Sequence, residues 1–271
     1  MTTATTTAAT AGQVSKSAAE IYDEFFVPSL FGPWAKPLCD AARIARDSDV
    51  LDVACGTGAT TREAAGRVGT TGRIVGLDRN DGMLSVARAR VPSVEWVEGR
   101  AEALPFDPQS FDCVLCQFGL MFFDDKTKAL AEMARVLRPG GRIALSVWDS
   151  AENSPGYAGM IELVETMFGR DAADALRAPF CLGDKQRFQS LLHDGGLAKA
   201  TVTTATGTAR FTSIREWVRM DVRGWTLADF IDDAGFEALV TQAEKRFRRF
   251  SGKDGSIEFP APAHIAVWTH N

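Results

Sequence analysis

Apolar positions change their spacing along this chain, and each change predicts a different kind of element. From residue 49 to residue 148, short apolar runs alternate with stretches whose apolar residues recur at helical spacing. The pattern predicts strands at 49–54, 73–78, 93–98, 111–116 and 142–148, and helices near 59–66, 81–90 and 126–137. Strands alternating with helices imply a parallel sheet with crossover helices on both faces. Upstream, Tyr22, Phe25 and Phe26 fall at i, i+3 and i+4, one face of a helix that Ser17-Ala18-Ala19-Glu20 would open as a capping box. Leu30, Trp34, Leu38 and Ala42 continue the helical spacing through 28–46, where Pro33 and Pro37 threaten the first turns. The first residues are almost all Thr and Ala and read as a disordered tail. Beyond 148 the alternation stops. Helical stretches over 153–193 lead to a Thr- and Val-rich strand at 198–211, more helix over 213–250, and a last strand at 258–269.

The segment joining the first strand to its helix says most about chemistry. Asp52-Val53-Ala54-Cys55-Gly56-Thr57-Gly58-Ala59-Thr60 is a glycine-rich turn. Such a turn lets a ligand reach bare backbone, and the helix end beyond it offers free N–H groups and partial positive charge. A dinucleotide fingerprint would place a third small residue after Gly56 and Gly58, but Thr61 stands there. Asp52, at the strand end, would repel a pyrophosphate and attract an amino group. The second strand ends in Asp78, whose carboxylate can accept hydrogen bonds from both ribose hydroxyls. A phosphate-free nucleoside with an amino-acid tail satisfies both acids, and S-adenosyl-L-methionine is such a molecule.

Four segments in register carry a family likeness: Val50 to Gly58, Val75-Gly76-Leu77-Asp78, Arg100-Ala101-Glu102-Ala103-Leu104-Pro105-Phe106, and Val136-Leu137-Arg138-Pro139-Gly140-Gly141-Arg142. On these the chain resembles the class I S-adenosylmethionine-dependent methyltransferases, in the small-molecule branch related to ubiquinone/menaquinone-biosynthesis C-methyltransferases. The resemblance spans about residues 45–150, the size of one domain core, and fades over 151–271. It implies an α/β fold: a Rossmann-like, doubly wound, mostly parallel seven-stranded sheet with an antiparallel last strand and a helical cap. One structural domain would comprise a tail at 1–14, lid helices at 15–48, the cofactor-binding core at 49–150, and cap insertions with the last two strands at 151–271.

The expected cofactor site follows. Asp52, Ala54, Gly56, Thr57 and Gly58 would hold the amino-acid tail, Asp78 the ribose, with Arg79 beside it, and Ala101 and Glu102 the adenine. The resemblance adds Tyr22 on the carboxylate tail, Trp34 in the lid and Met83 against the adenine. Relatives often carry Asp at the Arg100 position. A guanidinium cannot accept the adenine amino hydrogen bond, so either the backbone of Ala101 together with Glu102 would read the adenine or Arg100 would stack on its face. Gln117 ends the fourth strand within reach of the same site. The segment after it, Phe118-Gly119-Leu120-Met121-Phe122, replaces the Asn/Asp-Pro-Pro-aromatic motif of enzymes that methylate nucleobase amines or protein glutamine. Phe118, Met121, Tyr157 and Trp225 are candidate walls of an apolar substrate pocket, as are Met160, Met167, Trp217 and Met220.

Composition narrows the reading further. A net charge of −5 argues against a nucleic-acid partner, and no apolar run is long enough to span a membrane. The five cysteines form no disulfide framework, which points to the cytoplasm; Cys113 and Cys116, three apart in a strand, face opposite ways and read as core thiols. No metal motif occurs, and none of the three histidines stands at a telling spacing from an acid. A catalytic base is therefore not assigned, Asp149 and Arg223 being no more than guesses. The expected activity is methyl transfer to a small, fairly apolar molecule through O, C or N, by a monomer or homodimer. S-adenosyl-L-homocysteine would be the product. The alternatives are a cofactor-binding relative that catalyses rearrangement or cyclisation, and an NAD-dependent oxidoreductase.

Overall fold

Strands β1 (Asp49–Val53), β2 (Arg73–Asp78), β3 (Glu95–Glu98), β4 (Phe111–Gln117) and β5 (Leu137–Trp148) form where the apolar runs predict them. The computed structural model describes residues 16–224 and 227–271, so the expected tail at 1–14 and Trp225 lie outside the described residues. β6 (Thr201–Ala205) and β9 (Ala263–Thr269) complete a seven-stranded sheet in the order β3-β2-β1-β4-β5-β9-β6. β1 to β5 run parallel, and β9 is antiparallel to both β5 and β6. Val50, Leu51 and Val53 are wholly buried, as expected of a central parallel strand covered on both faces. The strand order reverses between β1 and β4, and ligands of such sheets bind at the carboxyl ends of the strands there.

The two predicted C-terminal strands are each broken in two. β7 (Thr208–Phe211) and β8 (Ile257–Pro260) leave the main sheet and pair with each other. The breaks have a local cause. A side chain at Gly207 would meet the Trp34 ring at 2.2 Å and the Ala261 carbonyl at 2.6 Å, so the chain can cross there only as glycine. Pro262, in the matching gap, has no N–H to give a ladder.

Helices α3 (Ala59–Val68), α4 (Asp81–Arg90) and α5 (Lys126–Val136) are the crossovers. Asn80 caps α4 by accepting from the Met83 N–H, and Asp125 caps α5. Leu137 to Gly141, expected as a bare turn, is drawn into β5, with Leu137 paired to Phe111 before an irregularity in the register. The cap comprises α6 (Pro155–Phe168), α7 (Arg170–Arg177), α8 (Lys185–Asp194), α9 (Ile214–Arg223) and α10 (Asp233–Arg246).

The lid departs from the simple helical reading. α1 (Lys16–Ile21), with Ser17 inside it rather than at its cap, runs into a π-helix (Tyr22–Phe31), and α2 (Gly32–Ala42) follows. The wider π repeat brings Tyr22, Phe26 and Phe31 together, with ring centroids 5.2–6.3 Å apart. Phe25, expected on that face, lies outside the trio under the Arg219 guanidinium, 4.6 Å from its ring. Pro33 sits at the start of α2, where its missing N–H costs nothing, and Pro37 is carried inside the helix without ending it.

Candidate functional site

The carboxyl ends of β1 and β4 and the π-helix enclose a cleft with about 310 Å³ of empty space, partly open to solvent. Tyr22, Asp52, Ala54, Gly56, Thr57 and Gln117, all expected at the cofactor, line it. Phe31, Cys55, Ala59 and Thr60 line it as well. Phe31 was hidden from sequence reasoning by the π repeat. The backbone is strained at both strand ends: Ala54 (φ 57°) and Phe118 (φ 53°) adopt the left-handed region without being glycine. Such outliers cluster at ligand sites. Gly58 (φ 84°) opens α3, and a side chain there would meet the Trp96 ring at 2.5 Å.

Asp52 is fully buried. One oxygen accepts from the Thr61 hydroxyl at 2.6 Å, and the other has no partner. Thr61 thus occupies the third position of the glycine motif as a hydrogen-bond donor rather than a packing residue. Burial lifts the Asp52 carboxyl to about 7, the Thr61 bond opposing and the Asp78 charge adding to it. The Thr57 hydroxyl and the Gln117 side-chain carbonyl are also buried without partners. The Gln117 amide N–H donates to the Phe31 carbonyl at 3.1 Å, tying β4 to the lid. Three buried, unpaired oxygens on one cleft are a ligand's complement, since each would otherwise cost a lost hydrogen bond.

Asp78 borders the cleft. It accepts from the Gly56 N–H and the Asn80 N–H, both at 2.9 Å, and burial raises its pKa against those two bonds. Arg79 follows it, and Met83 stands half-buried in the first turn of α4. Beyond β3, Ala101 is buried, while Glu102 accepts from the Asp124 N–H at 3.0 Å. The Arg100 guanidinium pairs with Asp124 and faces Glu102 at 3.5 Å, which fixes its position beside β3. Trp34 is corrected. It is buried with its edge toward Phe118 and Trp148, ring centroids 6.0 and 6.1 Å away, and does not line the cleft.

Of the substrate-wall candidates, Phe118 is stacked flat on Trp148, centroids 3.9 Å apart, and Met121 is buried in the turn that follows β4. Tyr157 lines a second, narrow pocket under the cap, with about 330 Å³ of empty space that includes open solvent, together with Asp221 of α9. Sequence reasoning missed Asp221. The available signal was its place in the apolar stripe of Ile214, Trp217, Val218 and Val222, where an acid has no ordinary reason to be. His264 was also read as unpaired, yet the fold sets its Nε2 3.3 Å from Asp149 and 2.8 Å from the Gly183 carbonyl. Its Nδ1 lies 3.0 Å from the Thr204 hydroxyl. Both nitrogens are thus used, and the group joins β5, β6 and β9 to the cap as a brace.

Comparison with known proteins identifies the family and the fold. Residues 50–141 match the family model described as a methyltransferase domain. A ubiquinone/menaquinone biosynthesis C-methyltransferase UbiE of Cronobacter sakazakii is 34% identical over 83% of this chain and 82% of its own length. The UbiE protein of an Enterobacter strain is 45% identical, but the match covers only 41% of this chain and 46% of that protein, about half its length. Among solved structures, a phosphoethanolamine N-methyltransferase of Haemonchus contortus with S-adenosyl-L-methionine shares the fold, with a TM-score of 0.60 at 18% identity. That likeness covers 97% of this chain and 59% of that one.

Proposed function

Because the chain belongs to the class I S-adenosylmethionine-dependent methyltransferases, we propose that it transfers a methyl group from S-adenosyl-L-methionine to a small, fairly apolar molecule. S-adenosyl-L-homocysteine leaves as product. The observation carrying this reading is the trio of buried, unpaired oxygens on Asp52, Thr57 and Gln117 around the glycine turn. A cationic amino-acid tail supplies what they lack, and a pyrophosphate does not. Asp52 takes the tail's ammonium, Asp78 the ribose hydroxyls, and Met83, Ala101 and Glu102 the adenine.

The cofactor brings an electrophilic methyl group on a sulfonium. The protein's part is in-line placement of the acceptor and exclusion of water. Tyr22 and Phe31 line the cleft, and the Trp148 ring, 5.9 Å from Phe31, would give the acceptor an apolar approach from the cap side. The protein acts in the cytoplasm as a monomer or homodimer. Calorimetry with S-adenosyl-L-homocysteine and with NAD tests the cofactor: binding of the first and not the second is expected. Transfer of labelled methyl to an apolar acceptor tests the reaction, and turnover without cofactor consumption would defeat it.

A further inference from the structure

The cavity under the cap is distinct from the cofactor cleft but adjoins it. Leu30 of the π-helix lines the cap cavity, and its neighbour Phe31 lines the cleft. The Phe31 ring lies 5.9 Å from that of Trp148, a wall of the cap cavity. The remaining walls are apolar apart from two groups: Tyr157 and Asp221. Asp221 is 2% exposed, and neither carboxylate oxygen has a well-formed hydrogen bond, although the Trp217 side chain lies close enough to oppose the rise of its pKa on burial. The Tyr157 hydroxyl and the Trp217 indole N–H have no well-formed hydrogen bond either. The rings of Tyr157 and Trp217 meet edge-on, centroids 5.7 Å apart, and Phe180 closes on Tyr157 at 5.4 Å. Among the described residues, no cation lies within ion-pair distance of Asp221.

Burial pushes the Asp221 carboxyl well above the usual carboxylate range, and an ionised carboxylate there without a counter-ion would cost several kcal/mol, about as much as folding can spare at one position. Such a group is retained where a ligand completes it. Two complements are conceivable, a neutral hydroxyl and an ammonium. The surroundings favour the ammonium, because aromatic faces attract a cation and a carboxylate in low dielectric gains most from an opposite charge. The Trp217 N–H and the Tyr157 hydroxyl are then free to turn toward the ionised carboxylate.

We propose that the cap cavity recognises a protonated amine carried on an apolar body, with Asp221 as counter-ion and Trp148, Tyr157 and Phe180 as aromatic walls. This rests on the methyltransferase reading only in taking that molecule to be the methyl acceptor, at an atom other than the protonated nitrogen. Asp221 is a specificity-determining residue in this role.

The probe pair is 2-phenylethylamine and its neutral analogue 2-phenylethanol, titrated into the full chain saturated with S-adenosyl-L-homocysteine. The Trp217 indole N–H resonance reports binding. The amine binds at least about tenfold more tightly than the alcohol. Asp221→Asn weakens the amine by about 10- to 100-fold and leaves the alcohol within about threefold. Asp221→Leu behaves like Asp221→Asn, which separates charge recognition from hydrogen bonding. Equal affinity for the two probes, or an amine affinity unmoved by both variants, overturns the proposal. Binding of S-adenosyl-L-homocysteine is read in the same samples, so failure of the cofactor reading is seen separately from failure of the amine site.

Discussion

If Asp52 takes the ammonium of the cofactor as proposed, its ionisation should control binding. Its carboxyl titrates at about 7 in the folded chain, against about 3.9 when unfolded. Between those values the folded state holds a proton that the unfolded state has lost. Its contribution to stability therefore falls as pH rises from about 4 to about 7. A bound ammonium reverses the preference, since it needs the ionised form. Affinity for S-adenosyl-L-methionine should then rise about tenfold per pH unit up to about 7 and level off above it. Asp52→Asn should flatten that profile; calorimetry between pH 5 and 8 decides, and a steep profile in the variant would remove Asp52 as its origin. Asp78→Ala removes the ribose acceptor and strands the Gly56 and Asn80 N–H groups. It should weaken S-adenosyl-L-homocysteine by about 1–3 kcal/mol, and an unchanged dissociation constant would take Asp78 out of the site. Both acids were legible in the sequence because each ends an apolar run. Asp221 was not, because its meaning depends on what α9 faces, which only the cap's packing reveals.

Elements were legible in proportion to how far local pattern decided them. β2 and α4 keep their predicted limits, since an apolar run and a capped periodic stretch are complete signals in themselves. The π-helix was not legible, because the 3.6-residue template assigns Phe25 to the face that Phe31 occupies. β7 and β8 were merged with their neighbours because the break at Gly207 is imposed by Trp34, distant in sequence. The turn into α3 carries a similar distant dependence. Gly58→Ala should cost about 1–2 kcal/mol for the left-handed backbone, with a further loss from the Trp96 contact. In a Trp96→Phe background only the contact share should be recovered. Urea unfolding of the four variants separates the two shares, and strict additivity would deny the contact.

At the scale of the molecule, the cofactor cleft is closed by a segment that the core does not cover, and an ion-pair relay holds that segment down. Asp23 of the π-helix is nearly buried; it bonds Arg90 of α4 at 2.8 Å and faces Arg62 of α3 at 3.7 Å. Arg62 also donates to the Thr57 carbonyl at 2.9 Å, so the lid is linked to the backbone of the cofactor turn itself. Sequence reading placed a lid over the cofactor but could not find this clasp, whose members lie 67 positions apart in the Arg90 pair. Asp23 does not line the cleft, so it reaches a bound ligand through the lid and through the longer-range effect of its charge. Asp23→Ala should weaken S-adenosyl-L-homocysteine about five- to tenfold, matching the ~1 kcal/mol of a partly screened ion pair. The loss should appear as faster dissociation, because a loosened lid opens more often while the tail and ribose contacts stay intact. Stopped-flow release measures it directly. A dissociation rate equal to that of the parent chain would mean that the aromatic trio of Tyr22, Phe26 and Phe31 holds the lid without help.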